Sequence, residues 1–284
     1  MDRKIILSAD ATCDLDEELK KRYEVYYSPY HIILDGQDYI DNVDITATEL
    51  YQAYWEKKLL PKTAAINVAE YTERFRPWVD AGFDVIHINL SSAISASHQN
   101  CLTAAEALGH VYPVDSLNLS TGSGLLVIEA ADMIRQGLPA PEIQTRLRAM
   151  TEKVHASFIL DTLEFMHAGG RCSAVAALGA NLLSLKPCIE VDNRTGKMGV
   201  AKKYRGPLSK VLVKYTQDQL SAYDSIRTER IFITHSGIDT ALIELVRDTI
   251  NRTMQFDEIF VTRASCTISS HCGPNTLGVL FLTA

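Results

Sequence analysis

The sequence predicts an α/β fold in two parts. An N-terminal, Rossmann-like, mostly parallel sheet with helices on both faces is expected over residues 1–156, and a mixed α+β domain over residues 157–284. Three observations carry this expectation. Short β-branched runs, residues 83–90 and 111–114, alternate with helical stretches, the rhythm of parallel strands and crossover helices. The early runs end in polar loops, residues 8–14 and 91–97, and the carboxyl ends of strands are where open α/β sheets hold ligands. After His155 the texture changes: residues 188–191 and 199–203 flank Asp192-Asn193-Arg194-Thr195-Gly196, an antiparallel hairpin signal.

Taken in order, residues 4–7 form a first strand, followed by a helix over 15–22 that Asp14 is placed to cap. Residues 25–34 alternate in part and meet Asp35-Gly36, a strong hairpin signal, with residues 37–40 as the return limb. Thr46-x-x-Glu49 has capping-box spacing and opens a helix through Trp55. Residues 62–67 read as a loop, and Asn67-x-x-Glu70 opens the next helix. The strand at 83–90 feeds a helix over 97–108 that Gly109 stops. A strand at 111–114 runs into a polar stretch ending in Gly122-Ser123-Gly124, then helices over 125–135 and 141–155. In the second part the pattern gives a strand at 157–160, a helical turn at 162–167 and a small-residue helix at 174–183. The 188–203 hairpin comes next, then helix 207–223, strand 231–234, helix 240–254, strand 258–262, a loop at 269–275 and a last strand at 276–282.

Composition narrows the function classes. The chain is 46% hydrophobic and 22% charged, the balance of a soluble globular protein. A net charge of −7 without a basic cluster argues against nucleic acid. The apolar runs are short and interrupted, so none is expected to span a membrane, and at most transient membrane contact is anticipated. The N-terminal apolar run is too short for a signal peptide. The six cysteines form no CxxC pair, and Cys266 and Cys272 have only His271 nearby, which gives zinc little support. A cytoplasmic protein with free thiols is expected.

The stretch around which the chain is organised is residues 83–109. Between its strand and its helix lie Ser91, Ser92, Ser95 and Ser97. A strand feeding a helix through such a loop points N–H groups and hydroxyls at one place, and the helix N-terminus favours an anion there. The plainer reading is a serine-rich N-cap. Gly122-Ser123-Gly124 lacks the third glycine of a dinucleotide fingerprint, no phosphate-loop motif occurs, and no GxSxG elbow marks a hydrolase. His271, before Cys272 and a Gly-Pro turn, most simply reads as a structural histidine. Arg171 follows Gly169-Gly170, glycines that let backbone approach closely while an arginine reaches into the gap. Arg205 reads as an exposed basic turn or, alternatively, a docking contact.

Together these stretches resemble the DegV family, bacterial fatty-acid-binding proteins that work with a separate fatty-acid kinase. The motifs occur in order: Asp10-x-Thr12-Cys13-Asp14-Leu15, the threonine loop at Thr63, Ser91-Ser92-x-Ile94-Ser95, Val114-Asp115-Ser116, Gly169-Gly170-Arg171, Leu185-Lys186-Pro187, Arg205-Gly206 and His271-x-Gly273-Pro274. The resemblance implies one long-chain fatty acid in a closed tunnel between or within two α/β domains. It implies a carboxylate held by Thr63, Ser95 and His271, with the Ala96 N–H as a further donor and Arg171 in the supporting network. Arg205 would face the kinase, which would phosphorylate the bound carboxylate, while the carrier itself would do no chemistry and need no cofactor or metal. The chain departs from the family pattern at Thr63-Ala64-Ala65-Ile66-Asn67, at Ile94-Ser95-Ala96-Ser97-His98 and at Asn275. Two rival readings stand beside this one: a serine hydrolase using Ser95 with His271, and a carrier of another lipophilic acid.

Overall fold

The computed structural model describes residues 3–171 and 185–284. Its first layer is a wholly parallel sheet of β1 (Ile5–Asp10), β2 (Val25–Ser28), β6 (Asp84–Asn89) and β7 (Val111–Asp115), ordered β2-β1-β6-β7. After Asp84 every residue of β6 is buried, as befits a strand covered on both faces. Helices α3 (Val68–Asp80) and α4 (Ser97–Leu108) pack together on the sheet, and so do α5 (Ser120–Arg135) and α6 (Ala140–Met150). From β1 the chain goes to β2 on one side, then crosses back to β6 on the other. The loops after β1 and β6 therefore part, leaving a crevice at their carboxyl ends.

A second, six-stranded sheet has the order β10-β9-β8-β13-β11-β12. Its strands are β8 (Val154–Ile159), β9 (Leu185–Val191), β10 (Met198–Arg205), β11 (Ile226–His235), β12 (Glu258–Arg263) and β13 (Leu277–Thr283), and only β11 and β12 pair in parallel. Helices α8 (Leu208–Ser221) and α9 (Thr240–Thr253) pack together beside it. α5 lies between the sheets, against β1 and β6 on one side and β8, β11 and β13 on the other. Its first twelve residues are all buried, so its burial runs round the whole helix rather than along one stripe. One apolar cluster accordingly runs from Leu7 and Ile88 through Leu125 to Phe158 and Leu280. The change of sheet falls between β7 and β8, and residue 156 lies inside β8.

Several expected elements differ, each for a tertiary reason. The run at 25–34 is split: β2 joins the parallel sheet, whereas β3 (His31–Leu34) forms a small antiparallel sheet with β4 (Gln37–Ile40) and β5 (Lys62–Ala64). β5 replaces the loop expected at 62–67, because Ile32 pairs with Thr63 across the two strands. Helix α1 (Glu17–Arg22) is capped by Asp16, whose side chain accepts from the Leu19 N–H, and not by Asp14. Asp14 turns inward instead, accepting from Ser120 Oγ at 2.6 Å and the Ser265 N–H at 2.9 Å. α5 starts at Ser120 rather than 125. Its glycines serve packing, since a Cβ on Gly124 would lie 2.7 Å from the Cys13 carbonyl oxygen. α6 ends at Met150, which leaves His155 in β8. The loop expected at 269–275 is largely helix α10 (Cys266–Cys272). The capping boxes at Thr46 and Asn67 are present, opening α2 (Ala47–Lys57) and α3. The small-residue helix expected at 174–183, with Cys172, lies outside the described residues. Cys13, Cys101, Cys188, Cys266 and Cys272 are buried free thiols. Among the described residues no helix is long and apolar enough to cross a membrane.

Candidate functional site

The crevice between β1 and β6 is locked by Asp10, the last residue of β1, which is 1% exposed. Its carboxylate accepts from the Leu90 N–H at 2.8 Å and from Tyr71 OH at 2.6 Å, and it pairs with His87 Nε2 at 3.0 Å. His87 Nδ1 in turn lies 3.0 Å from Ser8 Oγ. Ser8, His87 and Asp10 thus stand in the hydrogen-bond order of a catalytic triad, yet the serine and histidine are wholly buried and offer a substrate no approach. Their work is to fix the strand ends from which the site loops depart.

The loop after β6 divides its four hydroxyls among different tasks. Ser91 Oγ donates to the Gly196 carbonyl at the tip of the β9–β10 hairpin, at 3.0 Å. Ser97 Oγ accepts from the Ile66 N–H at 3.2 Å, and Ser92 is exposed. Ser95 faces a cavity, and so does Ala96 at the start of α4, whose N–H meets no acceptor among the described residues. The serine-rich loop is therefore one inward hydroxyl and one open N–H, with the other serines holding them in place.

Across the cavity stand Thr63 on β5 and His271 on α10. Thr63 Oγ1 lies 2.9 Å from His271 Nε2. His271 Nδ1 is buried without a partner among the described residues and abuts Gly169, the end of α7 (Glu164–Gly169), where a Cβ would come within 2.1 Å of it. Burial, with the charge of Arg171 added, pushes the His271 pKa down to about 4, so the imidazole is neutral near pH 7. Arg171 also lines the cavity, and its Nη1 donates to the Gly169 carbonyl at 2.7 Å. The α10 segment is held from its N-terminal end: Asp41 accepts from the Cys266 and Thr267 N–H groups at 2.8 and 2.9 Å, and Asp14 from Ser265.

The cavity measures about 160 Å³. Thr63, Ser95, Ala96, Arg171 and His271 form its polar part, and Leu90, Ile94, Leu119, Met166, Met198 and Ile268 supply apolar wall. Leu119, Ile268 and Cys272 also border a second, smaller pocket of about 20 Å³, which lies against Phe158 and Leu280 of the larger sheet. Among the described residues no group of three or more His, Cys, Asp or Glu side chains is placed to hold a metal ion.

A family model described as uncharacterised proteins of the DegV family matches residues 4–284. The chain belongs to the DegV family. A DegV domain-containing protein of Clostridium perfringens is 30% identical over 290 residues, which cover 99% of this chain and 98% of that protein. A DegV family protein of Thermus thermophilus, whose structure is one of fatty acid binding, superposes with a TM-score of 0.86 at 27% identity, covering 99% of this chain and 100% of that one. The fold alone is shared with a fatty acid binding DegV family protein of Streptococcus agalactiae, at 24% identity and a TM-score of 0.87 over 99% of both chains.

In this DegV protein five of the six residues singled out in the sequence, Thr63, Ser95, Ala96, Arg171 and His271, line one cavity. Arg205 does not. It ends β10, exposed, away from the cavity lining. Ser95 and His271 make no hydrogen bond to each other: His271 pairs with Thr63, and Ser95 with Tyr30 and Ser97. Sequence reasoning missed Tyr30, whose hydroxyl lies 3.1 Å from Ser95 Oγ, and the apolar wall of Leu119, Met166 and Ile268. Tyr30 sits between β2 and β3 with no motif around it, and the apolar residues carry no pattern that separates a tunnel wall from core.

Proposed function

We propose that this protein is a fatty-acid carrier that holds a long-chain acid in the cavity at the switch point and presents its carboxylate to a fatty-acid kinase. The observation that carries the reading is the division of one cavity into a polar part, the neutral donors Thr63, Ser95 and the Ala96 N–H with His271 behind Thr63 and Arg171 in addition, and a mostly apolar wall. The fatty acid binding of the Thermus thermophilus relative supports it.

The energetics suit a carrier. Each buried methylene is worth about 0.8 kcal/mol, so a tail of roughly 15 carbons gains on the order of 12 kcal/mol before association costs. The head group needs only selection, and a hydrogen bond to a charged acceptor is worth roughly 1.5–3 kcal/mol. The main cavity alone, at about 160 Å³, is close to the roughly 150 Å³ that encloses a benzene. The tail therefore runs on past Leu119, Ile268 and Cys272 toward the second pocket, with local movement of these side chains. Arg205, exposed at the end of β10, is assigned to the kinase-facing surface. The rival hydrolase reading wants a base bonded to the nucleophile and an acid behind the base. Here Ser95 has no bond to His271, and His271 Nδ1 has no carboxylate partner among the described residues.

The test is native mass spectrometry of the purified protein, followed by solvent extraction of what it holds. One fatty acid per chain, lost or weakened in Ser95→Ala and Thr63→Ala, is expected. A mass that stays that of the bare chain after incubation with stearate would overturn the reading, and turnover of an activated ester would favour the hydrolase.

A further inference from the structure

We propose that Tyr30 is a positioning residue for the head-group site: its phenol donates to Ser95 Oγ and so directs the single Ser95 hydrogen into the cavity. The inference rests on the carboxylate-binding reading above and adds a residue to it. It follows from counting hydrogens. Ser95 Oγ already accepts the Ser97 N–H at 3.2 Å. Its own hydrogen has three directions open: Tyr30 OH at 3.1 Å, Ser97 Oγ at 3.2 Å, or the cavity. Which one it takes depends on where the Tyr30 hydrogen goes.

Tyr30 OH lies at hydrogen-bond distance from Asp10 Oδ2, at 3.4 Å, and Ser95 Oγ, at 3.1 Å, with Ser97 as a further neighbour. Asp10 is already well served. Its Oδ2 takes the Leu90 N–H at 2.8 Å and Asn89 Nδ2 at 3.4 Å, and its Oδ1 takes Tyr71 OH at 2.6 Å and stands 3.0 Å from His87 Nε2. A carboxylate is the stronger acceptor in general, but Asp10 Oδ2 already holds two donors and stands farther from the phenol, so the Tyr30 hydrogen goes to the nearer Ser95 Oγ. The phenol also remains a donor, because burial, with Asp10 next in effect, raises its pKa well above the usual tyrosine range. With Tyr30 and the Ser97 N–H both donating to it, the Ser95 oxygen has no acceptor site left and its hydrogen points outward. Ser97 Oγ is a neutral acceptor that already takes the Ile66 N–H, so a carboxylate in the cavity outcompetes it. Behind Tyr30 the buried Asp10 network keeps the ring where this bond requires it.

The experiment compares stearate with stearyl alcohol, which brings no charge, on the full chain by titration under native mass spectrometry. Tyr30→Phe keeps the ring and removes the donor. It is expected to weaken stearate about tenfold and to leave the alcohol nearly unchanged. In a Ser95→Ala background the same change is expected to have no effect, since its route to the ligand is gone. Stearate binding unchanged in Tyr30→Phe, an equal loss for the alcohol, or a loss that persists in Ser95→Ala would each overturn the inference while leaving the carrier reading standing. Absence of stearate binding by the natural chain would overturn both. Should Tyr30→Phe not fold, 3-fluorotyrosine placed at position 30 gives a more acidic phenol of nearly the same shape. Tighter stearate binding with the alcohol unmoved is then expected, and no change would overturn the inference.

Discussion

Replacing Gly169 by alanine perturbs the histidine of the head-group site without substituting any residue proposed to contact ligand. A Cβ at this position would lie 2.1 Å from His271 Nδ1 and 3.0 Å from its Cε1, distances at which one partner must move. Gly169 closes α7 without a positive φ, so alanine fits its backbone, and the usual effect of such a change is a gain of about 0.4–1 kcal/mol through the unfolded chain. The side chain facing the new Cβ is the imidazole, and displacing it breaks the 2.9 Å contact to Thr63 Oγ1. The backbone gain is then set against the cost of displacing a buried ring, about 1–3 kcal/mol, so a melting temperature unchanged or moderately lowered is expected, with stearate affinity lowered by one hydrogen bond to a charged acceptor, roughly 1.5–3 kcal/mol or about 10- to 150-fold. Calorimetric titration with stearate and thermal unfolding of the same sample provide both numbers. His271→Ala supplies the control, because Gly169→Ala in that background should cost nothing further. Gly169→Ala binding stearate as tightly as the natural chain would show that the His271–Thr63 pair plays no part in holding the head group.

Three further perturbations probe the supports of the site. Burial, opposed by hydrogen bonds from Ser120 and Ser265 and helped by Asp41, raises the Asp14 carboxyl from 3.8 to about 7. The folded chain therefore takes up a proton that the unfolded chain refuses between about pH 7 and pH 4. Asp14 makes stability rise as pH falls through that window, by up to roughly 1.4 kcal/mol per unit, and adds no slope above or below it. Urea unfolding of the natural chain and Asp14→Asn from pH 8 to pH 4 should show the difference between them growing toward acid; a constant difference contradicts the assignment. Ile268→Phe should narrow the passage between the two pockets and weaken stearate far more than a medium-chain acid such as decanoate, as read by displacement titration. Equal losses for both acids would place the tail elsewhere. Glu129, 7% exposed on α5, accepts from Arg227 at 3.0 and 3.1 Å and from Arg230 at 3.4 Å. Glu129→Gln should lower the unfolding midpoint by the equivalent of roughly 1–3 kcal/mol, and an unmoved midpoint would show that the pair between α5 and β11 carries no net stability.

Much of the frame is legible in the sequence because its signals are local. Residues 83–109 read correctly as strand, loop and helix, since β-branched composition, helical spacing and the Gly109 stop all act within a few residues. The capping boxes at Thr46 and Asn67 are local in the same sense. The failures cluster where a distant partner decides. β5 is too short to announce itself and exists because β3 offers it an edge. α10 contains two serines, a threonine and a histidine in seven residues, a weak helix on propensity. Its first N–H groups are satisfied by Asp41 and Asp14, carboxylates 225 and 251 positions away in the chain. The serine loop and Arg171 stand out from the residues themselves, and motif resemblance adds Thr63, Ala96 and His271; all five line the cavity, but both routes passed over Tyr30. A lone tyrosine in a connection is invisible until its hydroxyl is seen beside Ser95.

The way α10 is held also bears on why the proposed head-group donors are of the kind they are. A seven-residue helix does not hold itself in water, so its position depends on what grips it. Asp14 and Asp41, neither of which lines the cavity, do so and take up the N-terminal donors that would otherwise be open to an anion. What α10 presents inward is the neutral His271 ring, set against Thr63 from the small sheet, with Ser95 and the Ala96 N–H arriving from the parallel sheet. Three separate structural units thus each supply neutral groups to the polar part, beside Arg171. In the proposed carrier this has two consequences. A carboxylate there is held by hydroxyls and an N–H, each modest in energy, and is not locked in a bidentate guanidinium clamp. Its oxygens keep the electron density that an incoming phosphoryl group requires, while the tail supplies the affinity. Displacing any one of the three units should therefore loosen the acid without exposing its charge to the apolar wall, a property that suits a protein whose cargo must be held securely and still be handed on.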